Sequence, residues 1–207
     1  MSRIKALNMG ALIAGACALA AASAVLAAAP GKAPAKPAKA LPENTAALTI
    51  KDIMDSRVDP AGDYLFESVV DIADAKGLHH KAPHTAKQWA EVRRQLQVLI
   101  DAPDLLTTPG RKAAHPEDRS KTPAVENQPE QIQRLMDSQH ADFVVRAGRL
   151  RDAARIGMTA AQAKAPKALF VAISGIDKAC ESCHLHYWYP NDQRAHQAAK
   201  EEGGIIP

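Results

Sequence analysis

Apolar residues recur at steps of three and four through most of the chain, a spacing that predicts amphipathic helices. The alternation typical of half-buried strands is nearly absent. The predicted helices span about residues 45–76, 85–102 and 129–156, and the fourth begins at about residue 166. The apolar stripe of the fourth helix continues through Cys180 and Cys183. Four amphipathic helices in one compact unit predict an all-α fold, an up-down-up-down four-helix bundle.

Prolines and glycines mark where these helices are interrupted. Within the first helix, the ring of Pro60 would clash with the carbonyl four residues back, so Asp59-Pro60 predicts a kink or a restart. Gly77 is predicted to close that helix, and a capping box beginning at Thr85 is predicted to open the second. Residues 103–128 are rich in proline and charge, which predicts one long irregular loop, draped over the surface or disordered.

The start of the chain is typical of an exported protein. Basic residues, an uncharged apolar run and a cluster of small residues predict a signal peptide over residues 1–28. A permanent membrane anchor and lipid attachment at Cys17 are the alternatives. Residues 29–43 alternate proline, alanine and lysine, which predicts a tether. The bundle domain is then expected over residues 44–190.

A polar tail, residues 191–207, is predicted to follow the domain. Once the basic residues of the signal are removed, acidic and basic residues are nearly equal in number. A nearly neutral protein has no charge reason to bind nucleic acid. Contact with a membrane is expected only if the N-terminal segment is retained.

The sequence Cys180-Glu-Ser-Cys183-His184 carries the candidate chemistry. A thioredoxin-type pair would begin a helix within a βαβ unit, whereas this pair ends a helix in an all-helical chain. A zinc knuckle is also disfavoured, because neighbouring residues of one helix cannot surround a tetrahedral ion. In an exported protein, Cys-x-x-Cys-His is the attachment signal for c-type haem. We therefore expect two thioether bonds from the cysteines and His184 as the proximal iron ligand.

A four-helix bundle with this motif near the end of its last helix resembles the cytochrome c′ family of periplasmic haem proteins. The segment IKDIMDSRVDPAGDYLFESV also resembles the opening helix of small cytochromes related to that family. The resemblance implies one of two iron sites. The distal face is open and binds small gases, or a methionine of the first helix closes it and the protein transfers electrons. The resemblance also implies a homodimer as one oligomeric state.

Bundle geometry limits which residue could be the distal ligand. The starts of helices one and three lie at the same end as the end of helix four, so Met54 and Met136 are both near the motif. Met54 is our first choice and Met136 the runner-up as ligand, and an open distal face is the alternative to a methionine ligand. His140 would lie deeper along its helix, and His186 is too close to the proximal ligand. His79, His80 and His84, in a predicted polar loop, and Met158 are expected at the far end of the bundle, too distant to reach the iron.

These predictions describe an electron carrier of the periplasm with one covalent haem c and no catalytic residue. Its expected partners are redox proteins. A five-coordinate gas-binding protein is the alternative function, and a small peroxidase is a third. The aromatic residues Tyr187, Trp188 and Tyr189 are expected to cap the bundle, or to place one ring along the haem edge.

Overall fold

Helices account for most of the chain that the structure describes, as the sequence predicts. The computed structural model describes residues 45–75 and 77–201, so the predicted signal peptide, the tether and residues 202–207 of the predicted tail lie outside the described residues. A short 3-10 turn at Thr45–Ala47 precedes the other elements. These are α1 (Ile50–Ile53), a π-helix (Met54–Val58), α2 (Asp59–Ser68), β1 (Val70–Asp74), β2 (Gly77–Lys81), α3 (Ala86–Leu106), α4 (Pro129–Ser138), α5 (His140–Gln162), α6 (Pro166–Tyr187) and α7 (Gln193–Glu201).

The first helical segment has the interruption predicted at Pro60. A capping box between Thr49 and Asp52 opens α1, and the next turn widens into the π-helix. The backbone N–H of Asp59 donates to the carbonyl of Met54, five residues back. A wider turn accommodates the missing N–H and the bulk of the proline ring, and α2 then begins with Pro60 in its first turn.

The prediction that this helix continues to residue 76 is wrong. After Ser68 the chain forms an antiparallel hairpin, in which Val70 pairs with Lys81 and Asp74 with Gly77. Val69, Val70 and Ile72 are β-branched and favour an extended backbone. Gly77 has a φ of +117°, a conformation that glycine adopts without steric cost. The histidines that we predicted to lie in a loop are in part on a strand, since His79 and His80 belong to β2.

The second helix ends later than predicted. Helix α3 continues through Pro103 to Leu106, so the irregular segment begins at Thr107 rather than at residue 103. A proline at this position removes the hydrogen bond of its own N–H and crowds the carbonyl four residues back, so other contacts must offset that cost. Ala102, Pro103 and Leu106 are buried, and this burial favours the helical conformation of the last turn.

The segment 107–128 is tied to the rest of the protein at both ends. Near its start, the buried guanidinium of Arg111 donates to the backbone carbonyls of Thr45, Leu48 and Leu105. Carbonyls of this segment also accept from the N–H groups of Ile50 and Lys51, which have no partner within α1. Near its end, the backbone N–H of Asn127 donates to the carbonyl of Trp188 at 2.7 Å. The segment therefore joins the start of α1 to the end of α6.

The core lies where the long helices meet. Helix α5 packs against α3 and α6, and α2 packs against α3. The helix predicted over about residues 129–156 is divided in two, because α4 ends at Ser138 and α5 begins at His140. The largest fully buried side chains are Ile53, Leu65, Val92, Leu96, Leu99, Leu169 and Ile176. Among the described residues, no helix combines the length and the apolarity needed to cross a membrane.

Two glycines of α5 should respond to alanine in opposite ways. A Cβ at Gly157 would lie 2.7 Å from Cδ2 of Leu96, a fully buried side chain, whereas a Cβ at Gly148 would meet nothing within 4 Å. Gly157→Ala should lower the free energy of unfolding by about 1–3 kcal/mol through overpacking. Gly148→Ala should raise it by about 0.5–1 kcal/mol, because glycine in a helix interior is unfavourable. Urea unfolding of both variants measures these changes, and a stabilised Gly157→Ala would show that α5 and α3 are further apart than described.

Candidate functional site

A cavity of about 340 Å³ opens between the first helical segment, α3, α5 and α6. This volume lies within the range of small-molecule and cofactor pockets. Asp59, Asp63 and Asp177 also border the cavity and are exposed, so they lie where it meets solvent. Its apolar walls consist of Val58, Phe66, Leu99, Leu106, Phe143, Ala147 and Leu150.

Both thiols of the motif line this cavity. Cys180 and Cys183 are three residues apart on α6, so they lie on one face of the helix. Neither forms a disulfide. Burial raises the pKa of each thiol to about 12, so both are protonated at neutral pH. A redox-active pair has the opposite shift, because a thiolate must form near neutral pH.

His184 lies at the same cavity, one residue after the second thiol. Burial lowers the pKa of its imidazole, although the carboxylates of Glu181 and Asp59 oppose this shift. The ring is therefore neutral near pH 7 and offers a nitrogen lone pair, the form in which histidine binds metals. Within residues 45–75 and 77–201, no group of three or more His, Cys, Asp or Glu side chains is arranged to hold a metal ion by itself.

Met54 lies at the same cavity as the Cys-x-x-Cys-His motif. It is the first residue of the π-helix and lines the cavity together with Cys180, Cys183 and His184. A smaller cavity of about 270 Å³ adjoins it, and its lining residues are Met54, Asp59, Glu126, His184, Trp188 and Tyr189. Single π turns inside helices are frequent at functional sites. The interruption at Pro60 thus coincides with the segment that brings the first-choice methionine to the cavity.

The other predicted ligand candidates lie elsewhere. Met136, the runner-up, is a buried core residue of α4 and is 6% exposed. His140 is exposed at the start of α5, and His186 bonds the side-chain oxygen of Gln139 at 2.6 Å. His79, His80 and His84 are exposed on or next to the hairpin. None of these residues is among those that line the cavity.

Sequence reasoning missed Arg146, which borders the cavity although it is only 4% exposed. Its guanidinium donates to Asp142 at 2.6 Å and to the carbonyl of Ser182, between the two cysteines, at 2.8 Å. The signal was its position between the apolar residues Phe143 and Ala147 on one stripe of α5. Arg146 therefore ties α5 to the turn of α6 that carries the thiols.

The three aromatic residues have separate environments. Tyr187 is buried, packs edge-on against Phe143 with ring centroids 5.4 Å apart, and donates a hydrogen bond to Asp142 at 3.1 Å. The rings of Trp188 and Tyr189 instead lie beside His184, with centroids 6.2 Å and 5.7 Å from its ring. Tyr187 thus stabilises the contact between α5 and α6, while the other two rings border the candidate site.

Comparisons of the chain with protein-family models, with curated proteins and with solved structures find no match. The resemblance to the cytochrome c′ family thus stays a prediction based on the residues of the motif and of the first helical segment.

Proposed function

We propose that this protein is an exported c-type cytochrome that transfers single electrons in the periplasm. In this proposal, the helices form an up-down-up-down four-helix bundle of the cytochrome c′ type around one covalently attached haem. Cys180 and Cys183 form the thioethers, His184 is the proximal ligand and Met54 the distal ligand. The observation that carries the proposal is the single cavity that these four side chains share.

The residues present fit a haem. Two protonated thiols on one helix face are the groups that add to the vinyl substituents, and the residue after them is a neutral imidazole. The apolar walls suit a flat macrocycle and keep water away from its centre. When bound, the haem supplies an iron that cycles between the ferric and ferrous states. The thioether of Met54 favours the ferrous state and so raises the reduction potential.

The contacts between the elements support the bundle arrangement. The start of α1 and the end of α6 are joined by the segment 107–128, so the first and last helical segments have these ends close together. In a bundle whose four helices alternate in direction, the start of the first helix and the end of the last lie at the same end of the bundle. Redox proteins of the same compartment are the proposed partners, and a homodimer remains an alternative to the monomer.

A gas-binding haem protein is the second candidate. The observation in its favour is the 270 Å³ cavity beside Met54 and His184, which offers room for a small diatomic ligand. That function requires an iron with five ligands, and Met54 would then be an ordinary half-buried side chain.

Visible spectra of the purified protein separate the two candidates. The electron carrier should contain one covalent haem c, give a low-spin spectrum in both oxidation states, and show little change when carbon monoxide is added to the ferrous form. A ferrous spectrum that shifts fully on adding carbon monoxide would favour the gas-binding protein. The intact mass of protein purified from the periplasm should equal the mass of one haem plus that of a chain that starts between Ala27 and Pro30. Protein without covalent haem would contradict both candidates.

A further inference from the structure

A chain of hydrogen bonds leads from a carboxylate to the proximal histidine. The hydroxyl of Tyr189 lies 2.7 Å from Oε2 of Glu181 and 3.4 Å from Nδ1 of His184. The end of α6 brings these groups together. The backbone N–H groups of Trp188 and Tyr189 both donate to the carbonyl of His184, at 2.8 and 3.0 Å. This tight turn folds the tyrosine ring back over the helix, so its hydroxyl reaches both side chains.

The order of donors and acceptors follows from the chemistry of the three groups. A carboxylate only accepts hydrogen bonds, so the tyrosine hydroxyl must donate its hydrogen to Glu181. The hydroxyl oxygen can then only accept from the ring of His184, which requires the hydrogen of the neutral imidazole to be on Nδ1. The other nitrogen, Nε2, is thereby left with a free lone pair. This is the tautomer that a histidine needs in order to bind a metal through Nε2.

We propose that Tyr189 and Glu181 are positioning residues that set the tautomer and the orientation of His184 and make its imidazole a stronger electron donor. The inference rests on the proposed function, since it assumes that His184 binds the iron. Metal-bound histidines commonly donate their second N–H to a carboxylate or a neighbouring group, which increases the basicity of the ligand nitrogen. A more basic imidazole stabilises the ferric state and lowers the reduction potential. The pair would thus oppose the effect of Met54.

Tyr187 provides a matched control, because it is also a tyrosine of this segment but makes different contacts. Its hydroxyl donates to Asp142 and its ring packs on Phe143, so it stabilises the contact between α5 and α6. Tyr187→Phe and Tyr189→Phe each remove one hydroxyl, at positions two residues apart. Only Tyr189→Phe interrupts the chain to His184.

The test uses the holoprotein and two readouts other than activity. The first is the reduction potential, and the second is the iron–histidine stretching frequency in ferrous protein that also carries Met54→Ala, in which the distal position is open. Tyr189→Phe should raise the potential and lower the stretching frequency, because the imidazole becomes a weaker donor. Glu181→Gln should also raise the potential and lower the stretching frequency. It serves as an independent variant if Tyr189→Phe does not fold. Tyr187→Phe should leave both readouts at their wild-type values.

The outcomes are distinguishable. Covalent haem in every variant, with the potential and the stretching frequency unchanged by Tyr189→Phe and Glu181→Gln, would overturn this inference and leave the proposed function standing. Equal shifts in Tyr187→Phe and Tyr189→Phe would also overturn it, because the effect would then come from packing. Wild-type protein without covalent haem would overturn the proposed function, and this inference with it.

Discussion

Replacing Cys180 and Cys183 together with alanine should yield protein from which acid-acetone extracts every trace of haem, whereas wild-type protein should retain all of it. Two thioether bonds survive the acid that breaks the bond between iron and histidine. The variant should also fold poorly. Without the haem, the apolar walls of the 340 Å³ cavity lose the group that would pack against them, and the core loses stability. Pyridine haemochrome spectra and thermal unfolding would measure the two effects.

Ser174→Ala is the matched control for this experiment. Ser174 lies on the same helix and is exposed, and its hydroxyl donates to the carbonyl of Phe170 within that helix. Its replacement should change neither the haem content nor the unfolding temperature. If the double cysteine variant kept its haem through extraction and unfolded like the wild type, the thiols would not be the attachment points and the proposed function would be wrong.

Met54→Ala should abolish the weak far-red band that a methionine sulfur bound to ferric haem produces. The same change should lower the reduction potential, because the thioether favours the ferrous state. It should also let ferrous protein bind carbon monoxide, since a position on the iron becomes free. The far-red absorption spectrum, a redox titration and the carbon monoxide difference spectrum measure these three effects.

Met136→Ala is the control that separates a ligand from a packing residue. Met136 is buried in the core and does not line the cavity. Its truncation should cost about 2–5 kcal/mol of stability, as expected for a large-to-small core change, and leave the far-red band in place. A band that vanished in Met136→Ala but persisted in Met54→Ala would reverse the assignment of the distal ligand.

The helical spacing of apolar residues, together with prolines, glycines and capping residues, was sufficient to predict much of the fold. The predicted kink is the π-helix before Pro60, because a proline inside a helix leaves few backbone alternatives. The capping box at Thr85 opens α3 as predicted, since its side-chain and backbone bonds involve only residues three apart. Predictions that depend on residues within one helical turn, such as a cap or a proline kink, were therefore correct.

The errors occurred where contacts distant in the sequence decide the structure. Val69 and Ile72 are three residues apart, which suits a helix, but pairing with residues 77–81 makes residues 70–74 a strand. The loop predicted over residues 103–128 is irregular from Thr107 onward, but the bonds from Arg111 to carbonyls near residue 45 were not foreseen. Arg146 was missed because arginine is usually solvated, and only Asp142 and the carbonyl of Ser182 make its burial favourable.

The segment 107–128 connects α1 to α6. This connection affects the order in which the parts of the site come together during folding. Met54 comes from the first helical segment and Cys180 from the last long helix, so bringing both to one cavity closes a loop of nearly the whole domain. Helix α5 contacts both α3 and α6, within a shorter stretch of chain. Such local contacts form early in folding, and closures of long sequence separation form late. Under the proposed function, the motif on α6 would stay open to haem attachment until the first helical segment packs beside it.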